Sequence, residues 1–359
     1  MRHRIIVIAG ISTVAVAIVV TAAWFFFVLQ TQRAIIQWAE IQRENGVDIT
    51  WQDLRFTGYP LRIDVQIGTP QMIVRQRNRR VIWEPSLLTF KLSSITPHVI
   101  DFVSPGAHDL QFASDNAAWS AVIEAETLEG QAKFPPDGYQ RIEQLVGQFA
   151  GLRVTPFAWV DPVTIEQGNF EATLRAATPI DPDAVHPRGN SFEFALAARD
   201  IGLPKDLLDG YALAALGPLI SEFSTEVLVK GELAIGSADI DTLTAWRDGG
   251  GTVEITSIEL QWGPLRITAD GTLALDGDLQ PVGSFATRIA GLQQFISAME
   301  TGGVLSPSDA AIARITLAVL TRPAEDGGPN RAEIPITLQS RILRLGPVAL
   351  IELPPIVWE

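Results

Sequence analysis

Residues 58–65 read GYPLRIDV, and about two hundred residues later residues 263–270 read GPLRITAD. Both stretches place a glycine and a proline directly before the same tripeptide, Leu-Arg-Ile. The physical preferences of these few residues predict the kind of structure that most of the chain forms.

The glycine and the proline predict a corner between two strands. Proline fixes φ and has no N–H to donate, so within a sheet it belongs at the first residue of a strand or on an edge strand. Glycine permits the tight turn that such a corner needs. Gly58 with Pro60, and Gly263 with Pro264, are therefore predicted to be turns between one antiparallel strand and the next.

Strict alternation of apolar and polar residues follows each corner and predicts a strand with one apolar face. The apolar positions are Leu61, Ile63, Val65 and Ile67 after the first corner, and Leu265, Ile267, Leu273 and Leu275 after the second. Because side chains alternate across a strand, Arg62 and Arg266 are predicted to point to the opposite face.

Further alternating stretches, separated by turn signals such as Asp270-Gly271, predict a sheet of repeated hairpins. They lie at 163–174, 192–196, 227–229, 253–262 and 334–338, and a third corner is predicted at Gly346-Pro347. The expected fold class is α+β and β-rich, an extended, curved antiparallel sheet with a few packing helices. The two Pro-Leu-Arg-Ile copies indicate either an internal repeat or a chance match, and both alternatives stay open.

Four stretches carry apolar residues at helical spacing and predict helices. They are 139–151, with Ile142, Leu145, Val146 and Phe149 on one stripe, 207–223, 291–299, and 306–320, which begins with a capping sequence. Each apolar stripe is interpreted as core rather than as a ligand site.

The N-terminal segment predicts a membrane anchor. The run Ile5–Leu29 carries no charge, and as a helix it is about 37 Å long, enough to cross a hydrocarbon core of about 30 Å. Arg2 and Arg4 precede the run, so the positive-inside rule places the N-terminus in the cytoplasm and, in a bacterium, the rest of the chain in the periplasm. A signal peptide cleaved after residues 21–23 is the alternative.

The expected organisation is therefore a single-pass inner-membrane protein. Residues 1–29 form the anchor, 30–46 a helical stalk that continues it, and 47–359 a periplasmic β-rich domain. Two similar lobes, at about 47–225 and 226–359, are one way to divide that domain.

Composition excludes several classes of function. Hydrophobic residues make up 47% of the 359 residues and charged residues 19%, which is typical of a folded chain. The net charge of −14 argues against nucleic acid as a partner, because phosphate binding needs a basic surface. The chain has no cysteine, which excludes disulfides, thiol nucleophiles and cysteine-ligated metals.

No sequence motif identifies a reaction, a cofactor or a metal. The segment 98–109 collects His98, Asp101, Ser104, His108 and Asp109, the residue types of a hydrolase triad, but within twelve residues, so turn roles are the preferred interpretation. Three Asp-x-Asp pairs, at 181–183, 239–241 and 276–278, lack the rest of a calcium loop and are interpreted as turns and caps. A glycosidase with two carboxylates stays open. No residue is predicted to be catalytic, cofactor-binding or metal-ligating.

The chain resembles the uncharacterised bacterial family known as domain of unknown function 2125, found mainly in alphaproteobacteria. The resemblance covers nearly the whole chain. It rests on the anchor, GYPLRI at 58–63, IWEPSLLTFKLSSITPHVIDFVSPGAHDL at 82–110 and WGPLRITADGTLALDGDLQP at 262–281. That family has no established reaction, so the resemblance implies no catalytic residues.

The stretch 262–277 is also similar, more loosely, to AsmA-like envelope proteins. Those proteins are anchored in the inner membrane and build long curved antiparallel sheets with an apolar inner face. That similarity implies lipid handling or envelope maintenance, although a chain of 359 residues is not expected to span the periplasm.

Three classes of function follow. Lipid handling or envelope biogenesis is favoured, with the eight alternating apolar residues after the two corners as the lipid-facing positions. A non-catalytic scaffold for an envelope protein comes second, and a hydrolase third. A long apolar sheet face left uncovered by helices would favour the first class, a closed core with an exposed edge strand the second, and a polar cleft around His98 or His108 the third.

Overall fold

The computed structural model describes residues 2–358 apart from positions 61, 77–78, 94–95, 97, 115–117, 137, 139–141, 158, 175–189, 209–211, 232–239, 323–330 and 347. The chain divides into two compact units, Met1–Arg141 (unit 1) and Ile142–Glu359 (unit 2).

The N-terminal helix is a single unbroken element. Helix α1 runs over Arg2–Glu44, so the residues expected as anchor and as stalk belong to one helix. Its portion Val14–Glu44 is long and apolar enough to cross a membrane. The side chains of Phe25, Phe26 and Phe27 are more than half exposed, which is the arrangement expected of a helix whose surroundings are lipid.

Unit 1 contains ten strands that form one antiparallel meander. They are β1 Val47–Thr50, β2 Asp53–Thr57, β3 Arg62–Gly68, β4 Gln71–Gln76, β5 Arg79–Pro85, β6 Leu87–Ser93, β7 Val99–Val103, β8 Gly106–Ala113, β9 Ala118–Ala125 and β10 Thr127–Lys133. Strand β2 pairs with β3 and β1 with β4, and the same pattern repeats along the chain. Strands β1 and β2 therefore form one long strand that is interrupted near its middle. The same holds for β3 with β4, β5 with β6, β7 with β8 and β9 with β10.

The interruptions lie side by side and form a crease across the sheet of unit 1. Backbone hydrogen bonds still cross it, for example from Ser86 N–H to Ala107 O at 2.8 Å and from Ser104 N–H to Leu128 O at 2.8 Å. Pro85 and Ser104 are among the most deeply buried residues of the chain. The crease lets long strands bend without leaving their backbone groups unpaired.

Unit 2 is a second antiparallel meander, in which each long strand pairs with its sequence neighbours. Its strands are β11 Gln144–Pro156, β12 Val163–Leu174, β13 Asn190–Gly202, β14 Leu219–Lys230, β15 Thr252–Trp262, β16 Leu265–Leu275, β17 Pro281–Ala290, β18 Thr321–Arg322, β19 Arg331–Gln339, β20 Ile342–Leu345 and β21 Val348–Glu352. The short strand β18 pairs with the first residues of β19, and β17 pairs with β19. Residues 225–226 lie inside β14, and the two compact units meet in the chain between residues 141 and 142. Two similar lobes at about 47–225 and 226–359 stay a prediction.

All three predicted glycine–proline corners are hairpin turns. Trp262 lies opposite Leu265, so Gly263 and Pro264 form a two-residue turn, and Gly263 has φ 52°. A two-residue hairpin turn with glycine in its first position requires a positive φ there, and the negative φ of its second position suits proline. The first corner is longer: Gly58 has φ 93°, and the N–H of Arg62 donates to Gly58 O at 3.2 Å. Leu345 opposite Val348 marks the third corner.

Helices occupy the long connections of unit 2. They are α2 Lys205–Leu208, a 3-10 helix over Ala212–Leu216, α3 Ile240–Asp248, α4 Leu292–Thr301 and α5 Pro307–Leu320. Helices α4 and α5 confirm the predictions for 291–299 and 306–320. The Ser306 hydroxyl accepts the N–H of Asp309 at 3.1 Å, as expected of an N-cap.

Two predicted helices are wrong. Residues 139–151 were expected to be helical, but from Gln144 the chain is strand β11, in which Leu145, Gly147 and Phe149 share one face and alternate with Gln144, Val146 and Gln148. Among its described residues, the stretch 207–223 contains the end of α2 and the 3-10 helix before β14 begins at Leu219. In both stretches pairing with the next strand outweighs a helical preference that is weak in itself.

Charged side chains join the end of α1 to the sheet of unit 1. Arg75 and Arg43 both donate hydrogen bonds to Asp48, the latter at 3.1 Å. These bonds, that of Arg75 first, lower the pKa of the Asp48 carboxyl below its usual range. The end of the helix is therefore held against β1 and β4 in addition to its covalent connection.

The packing of helix α3 against the sheet is expected to depend on the side chain of Trp246. Trp246 is buried and its indole N–H donates to Lys230 O at 2.8 Å. Trp246→Ala should lower the free energy of unfolding by about 3–5 kcal/mol, because it leaves a cavity and an unpaired carbonyl. The measurement is chemical denaturation of the full chain in detergent micelles. The control is Trp159→Ala, an exposed position of the same unit, which should change it by less than about 0.5 kcal/mol. Equal losses in the two variants would contradict the assignment.

Candidate functional site

One face of the unit 2 sheet is apolar from its first long strand to its last. Directly paired residues of antiparallel strands point to the same face, so the cross-strand register identifies its members. They are Leu145, Gly147, Phe149, Gly168, Phe170, Ala172, Leu174, Phe192, Phe194, Leu196, Ala198, Phe223, Thr225, Val227, Val229, Val253, Ile255, Ile258, Leu260, Ile267, Ala269, Gly271, Leu273, Leu275, Gly283, Phe285, Thr287, Ile289, Ala332, Ile334, Ile336 and Leu338. We call this set the apolar face of unit 2.

The opposite face of the same sheet is polar. The N–H groups of Arg266 donate to Gln261 at 2.8 Å, and Arg288 pairs with Asp270 at 3.3 Å. A shallow depression of about 210 Å³ lies among these arginines and is also lined by Glu222 and Glu259. Side chains of both signs share it, which is typical of a solvated charged surface rather than of a site selective for one ligand charge.

Large side chains on the apolar face of unit 2 lie flat over glycines of the neighbouring strand. A Cβ atom on Gly147 would be 2.4 Å from the ring of Phe170, and one on Gly168 would be 2.2 Å from the ring of Phe149. Gly271 stands in the same relation to Phe285, whose ring would be 2.5 Å away. Rings over glycines stabilise the sheet, and here they fill the space next to the glycine backbone.

Helices cover the two ends of this face. At one end the indole of Trp246 occupies the space that Cβ atoms on Gly231 and Gly251 would fill. At the other end the indole N–H of Trp262 donates to Gly217 O at 2.8 Å, next to the 3-10 helix. Also at that end, Ile296 of α4 packs in one cluster with two alanines, Ala310 of α5 and Ala332 of β19.

The centre of the face is only partly buried. Phe194, Phe223, Ile258, Leu273 and Phe285 all keep a fraction of their surface exposed. Eight strands about 4.8 Å apart make the face roughly 34 Å wide, and residues 253–260 extend about 23 Å along a strand. In the part of unit 2 that the structure describes, the helix contacts identified above lie at the strand ends, and the side chains at the centre of the face are half-buried.

Unit 1 has a smaller apolar face of the same kind. Its cross-strand rows are Leu54, Ile67 and Leu88; Phe56, Val65, Phe90 and Phe102; and Ile63, Leu92, Ile100 and Ala132. Val65 is almost completely buried, whereas most of the other large side chains in these rows are partly exposed.

The structure places the predicted lipid-facing residues in two groups. Ile63, Val65 and Ile67 share the apolar face of unit 1, with Arg62 on the other side of β3, and Leu61 lies outside the described residues. Ile267, Leu273 and Leu275 of β16 belong to the apolar face of unit 2, with Arg266 on the other side. Leu265 precedes Arg266 and pairs with Trp262 at the end of the same face. Val65 and Leu265 are buried, so these two contact protein rather than an open surface.

The histidine and serine of the predicted hydrolase-like segment support the crease of unit 1. The Ser104 hydroxyl donates to Leu87 O at 2.8 Å, and a ring nitrogen of buried His108 is 3.0 Å from Ser104 O. The His108 ring stacks on Trp83 with centroids 6.1 Å apart. Asp101 accepts a hydrogen bond from Gln131 at 2.8 Å. Both polar groups that would act in a triad are thus bonded to backbone carbonyls.

The Asp-x-Asp pairs behave as turns and caps where they are described. Asp276 accepts the N–H groups of Asp278 at 2.9 Å and of Gln280 at 2.8 Å, which closes the turn between β16 and β17. Asp241 lies in the first turn of α3, while the pair at 181–183 lies outside the described residues. Among the described residues no group of three metal-ligating side chains comes together.

Some residues of the apolar face of unit 2 were not predicted to lie on a sheet face. Leu145, Phe149 and Phe223 belong to it but were assigned to helices. The signal was present, because Leu145, Gly147 and Phe149 follow a period of two as well as helical spacing. Thr287 was also missed: it is buried on this face, and within the described residues its hydroxyl has no hydrogen-bond partner.

The flat packing of rings over glycines is testable at Gly147. Gly147→Ala should lift the Phe170 ring from the sheet and lower the free energy of unfolding by about 1–3 kcal/mol through overpacking. In a Phe170→Ala background the same change should have almost no effect, because the ring is gone. Gly277→Ala, with no atom within 4 Å of its Cβ, is the control. An equal loss in both backgrounds, measured by denaturant unfolding, would show that the ring does not lie over Gly147.

Comparison with known proteins gives one match. The family model described as "Uncharacterized protein conserved in bacteria (DUF2125)" matches residues 24–354. No curated protein and no solved structure matches the chain. Because the family match extends over most of the 359 residues, the chain belongs to the DUF2125 family.

Proposed function

We propose that this protein is a single-pass inner-membrane protein whose periplasmic part handles lipid in the cell envelope by holding acyl chains against its apolar sheet faces. In this proposal the protein catalyses no reaction, and its ligand is a lipid rather than a nucleic acid or a cofactor. The apolar residues of β3 and β16 that remain partly exposed, such as Ile63, Ile267 and Leu273, are the lipid-facing positions.

The wide, half-buried centre of the apolar face of unit 2 is the observation that carries this proposal. A monomeric soluble protein rarely leaves a contiguous apolar surface of more than a few hundred Å², and larger ones usually mark binding sites. An extent of about 23 Å along the strands exceeds the roughly 15 Å of one bilayer leaflet's hydrocarbon. Acyl chains are flat enough to lie on a thin layer of rings and aliphatic side chains.

The position of the protein in the envelope is supported by α1 and by the charge at its start. The helix includes the uncharged run Ile5–Leu29, and Arg2 and Arg4 precede it. The looser similarity to AsmA-like envelope proteins points the same way. A scaffold that offers the edge strand β21 to a protein partner is the second candidate, because among the described strands β21 pairs only with β20.

Topology can be tested with reporter fusions to the full chain. Alkaline phosphatase fused after Trp358 should be active, because that enzyme needs the oxidising periplasm, and a fusion of a cytoplasmic reporter at the same position should be inactive. Replacing Arg2 and Arg4 by glutamate should lower the phosphatase activity, since it removes the positive charge that keeps the N-terminus inside. The opposite pair of activities in the unaltered chain would exclude a periplasmic domain.

Lipid binding can be tested with neighbouring substitutions on opposite faces of β16. Ile267→Asp places a carboxylate on the apolar face, where it should stay near water if the face is open, so the protein should fold and purify with less lipid. Thr268→Asp places the same charge on the polar face, opposite Arg288, and should leave the lipid content unchanged. Mass spectrometry of copurified lipid and thermal unfolding are measured on the same samples.

Other outcomes decide against the proposal. If Ile267→Asp unfolds while Thr268→Asp does not, the face is a closed core. If the double variant Ile63→Asp with Ile267→Asp stays folded and fully loaded with lipid, neither face binds the lipid, and the scaffold candidate replaces this one.

A further inference from the structure

The first corner of the chain contacts the membrane helix itself. The Thr21 hydroxyl is 2.8 Å from the hydroxyl of Tyr59, and the indole N–H of Trp24 donates to Arg62 O at 3.0 Å. The rings of Trp24 and Tyr59 meet edge to face with centroids 5.6 Å apart. The described residues of the tip between β2 and β3, residues 58–60 and 62, are thereby fixed at a known position along α1.

That position lies inside the uncharged run. At 1.5 Å per residue, Thr21 is about 12 Å and Trp24 about 8 Å from Leu29, the outer end of the run Ile5–Leu29. The run is about 37 Å long and the hydrocarbon core about 30 Å, so at most about 7 Å of the run can project beyond the core. In the outermost placement Trp24 lies at the boundary of the core, and in every other placement it lies deeper.

We infer that the tip Gly58–Arg62 enters the membrane that α1 crosses, at the boundary between the headgroups and the hydrocarbon of the outward leaflet. This inference rests on the membrane-spanning role of α1 in the proposed function. The partner is a phospholipid surface. The row of the apolar face of unit 1 that contains Ile63 then borders the acyl chains of that leaflet.

The chemistry of the tip suits this environment. Backbone and side-chain polar groups are expensive to expose to lipid unless they are paired. Pro60 has no N–H, Arg62 N–H is bonded to Gly58 O, Arg62 O accepts from Trp24, and the Tyr59 hydroxyl pairs with Thr21. The exposed guanidinium of Arg62 lies 3.2 Å from Asp64 and can extend toward the headgroups. Tyrosine and tryptophan are the residues enriched at that depth.

The absence of native cysteine permits a direct measurement of depth. Thr57→Cys and Ala113→Cys, both at exposed positions, each carry one nitroxide label: residue 57 is next to the tip, and residue 113 is at the opposite end of the unit 1 strands. The full chain is reconstituted in vesicles of phosphatidylethanolamine and phosphatidylglycerol. The ratio of oxygen to nickel-chelate collision rates should be severalfold higher at residue 57 than at residue 113. A third variant, Thr57→Cys with Tyr59→Ser, should give a lower ratio than Thr57→Cys alone.

Equal, water-like ratios at residues 57 and 113 would overturn the inference. If the phosphatase fusion is active in the same protein, only the tip assignment fails and the proposed topology stands. If the fusion is inactive, the proposed topology fails and the inference fails with it.

Discussion

Cross-strand register is the constraint on which the rest of this structure depends. In unit 2 the same face passes from strand to strand through directly paired side chains: Ala332, Ile289, Ile267, Leu260, Phe223, Ala198 and Gly168. A shift of one residue in any of these pairs would turn an entire strand's apolar side chains to the polar face. The two-residue turn at Gly263 and Pro264 fixes one pair, Trp262 with Leu265. The apolar layer is a product of this register rather than of a globular core.

Sequence alternation predicted the strands well because period two is a local property. Strands β3, β12, β15 and β16 follow directly from it, and the glycine–proline pairs marked the turns between them. The failure at 139–151 has a physical reason. Its apolar residues satisfy helical spacing, but Gly147 gives room to the ring of Phe170 on the next strand. A contact that depends on a partner more than twenty residues away does not appear in the periodicity of either segment.

The same limit applies to the crease and to the tip. From the sequence, Ser104 could be a turn residue or a nucleophile, because its neighbours include two histidines. In the structure its hydroxyl donates a hydrogen bond to Leu87 O across the sheet. Gly58-Tyr59-Pro60 was correctly expected to be a corner, but the contact of Tyr59 with Thr21 joins residues 38 positions apart. Composition and motifs identify the kind of residue at each place, and only the folded chain shows which groups it satisfies.

The apolar sheet faces and helix α1 both expose apolar surface, which is unfavourable in water. Apolar surface in water costs about 25 cal/mol per Å², so a thin, partly exposed layer many strands wide is unfavourable unless something apolar covers it. Large globular proteins usually solve this with a second layer of helices or strands. Here the described helices of unit 2 contact the strand ends, and rings of the apolar face lie next to glycines of the neighbouring strand. A ligand made of flexible hydrocarbon can also cover such a surface. The lipid of the proposed function is such a ligand, and the membrane that α1 is proposed to cross would supply it. The corner that contacts α1 is also the start of an apolar face.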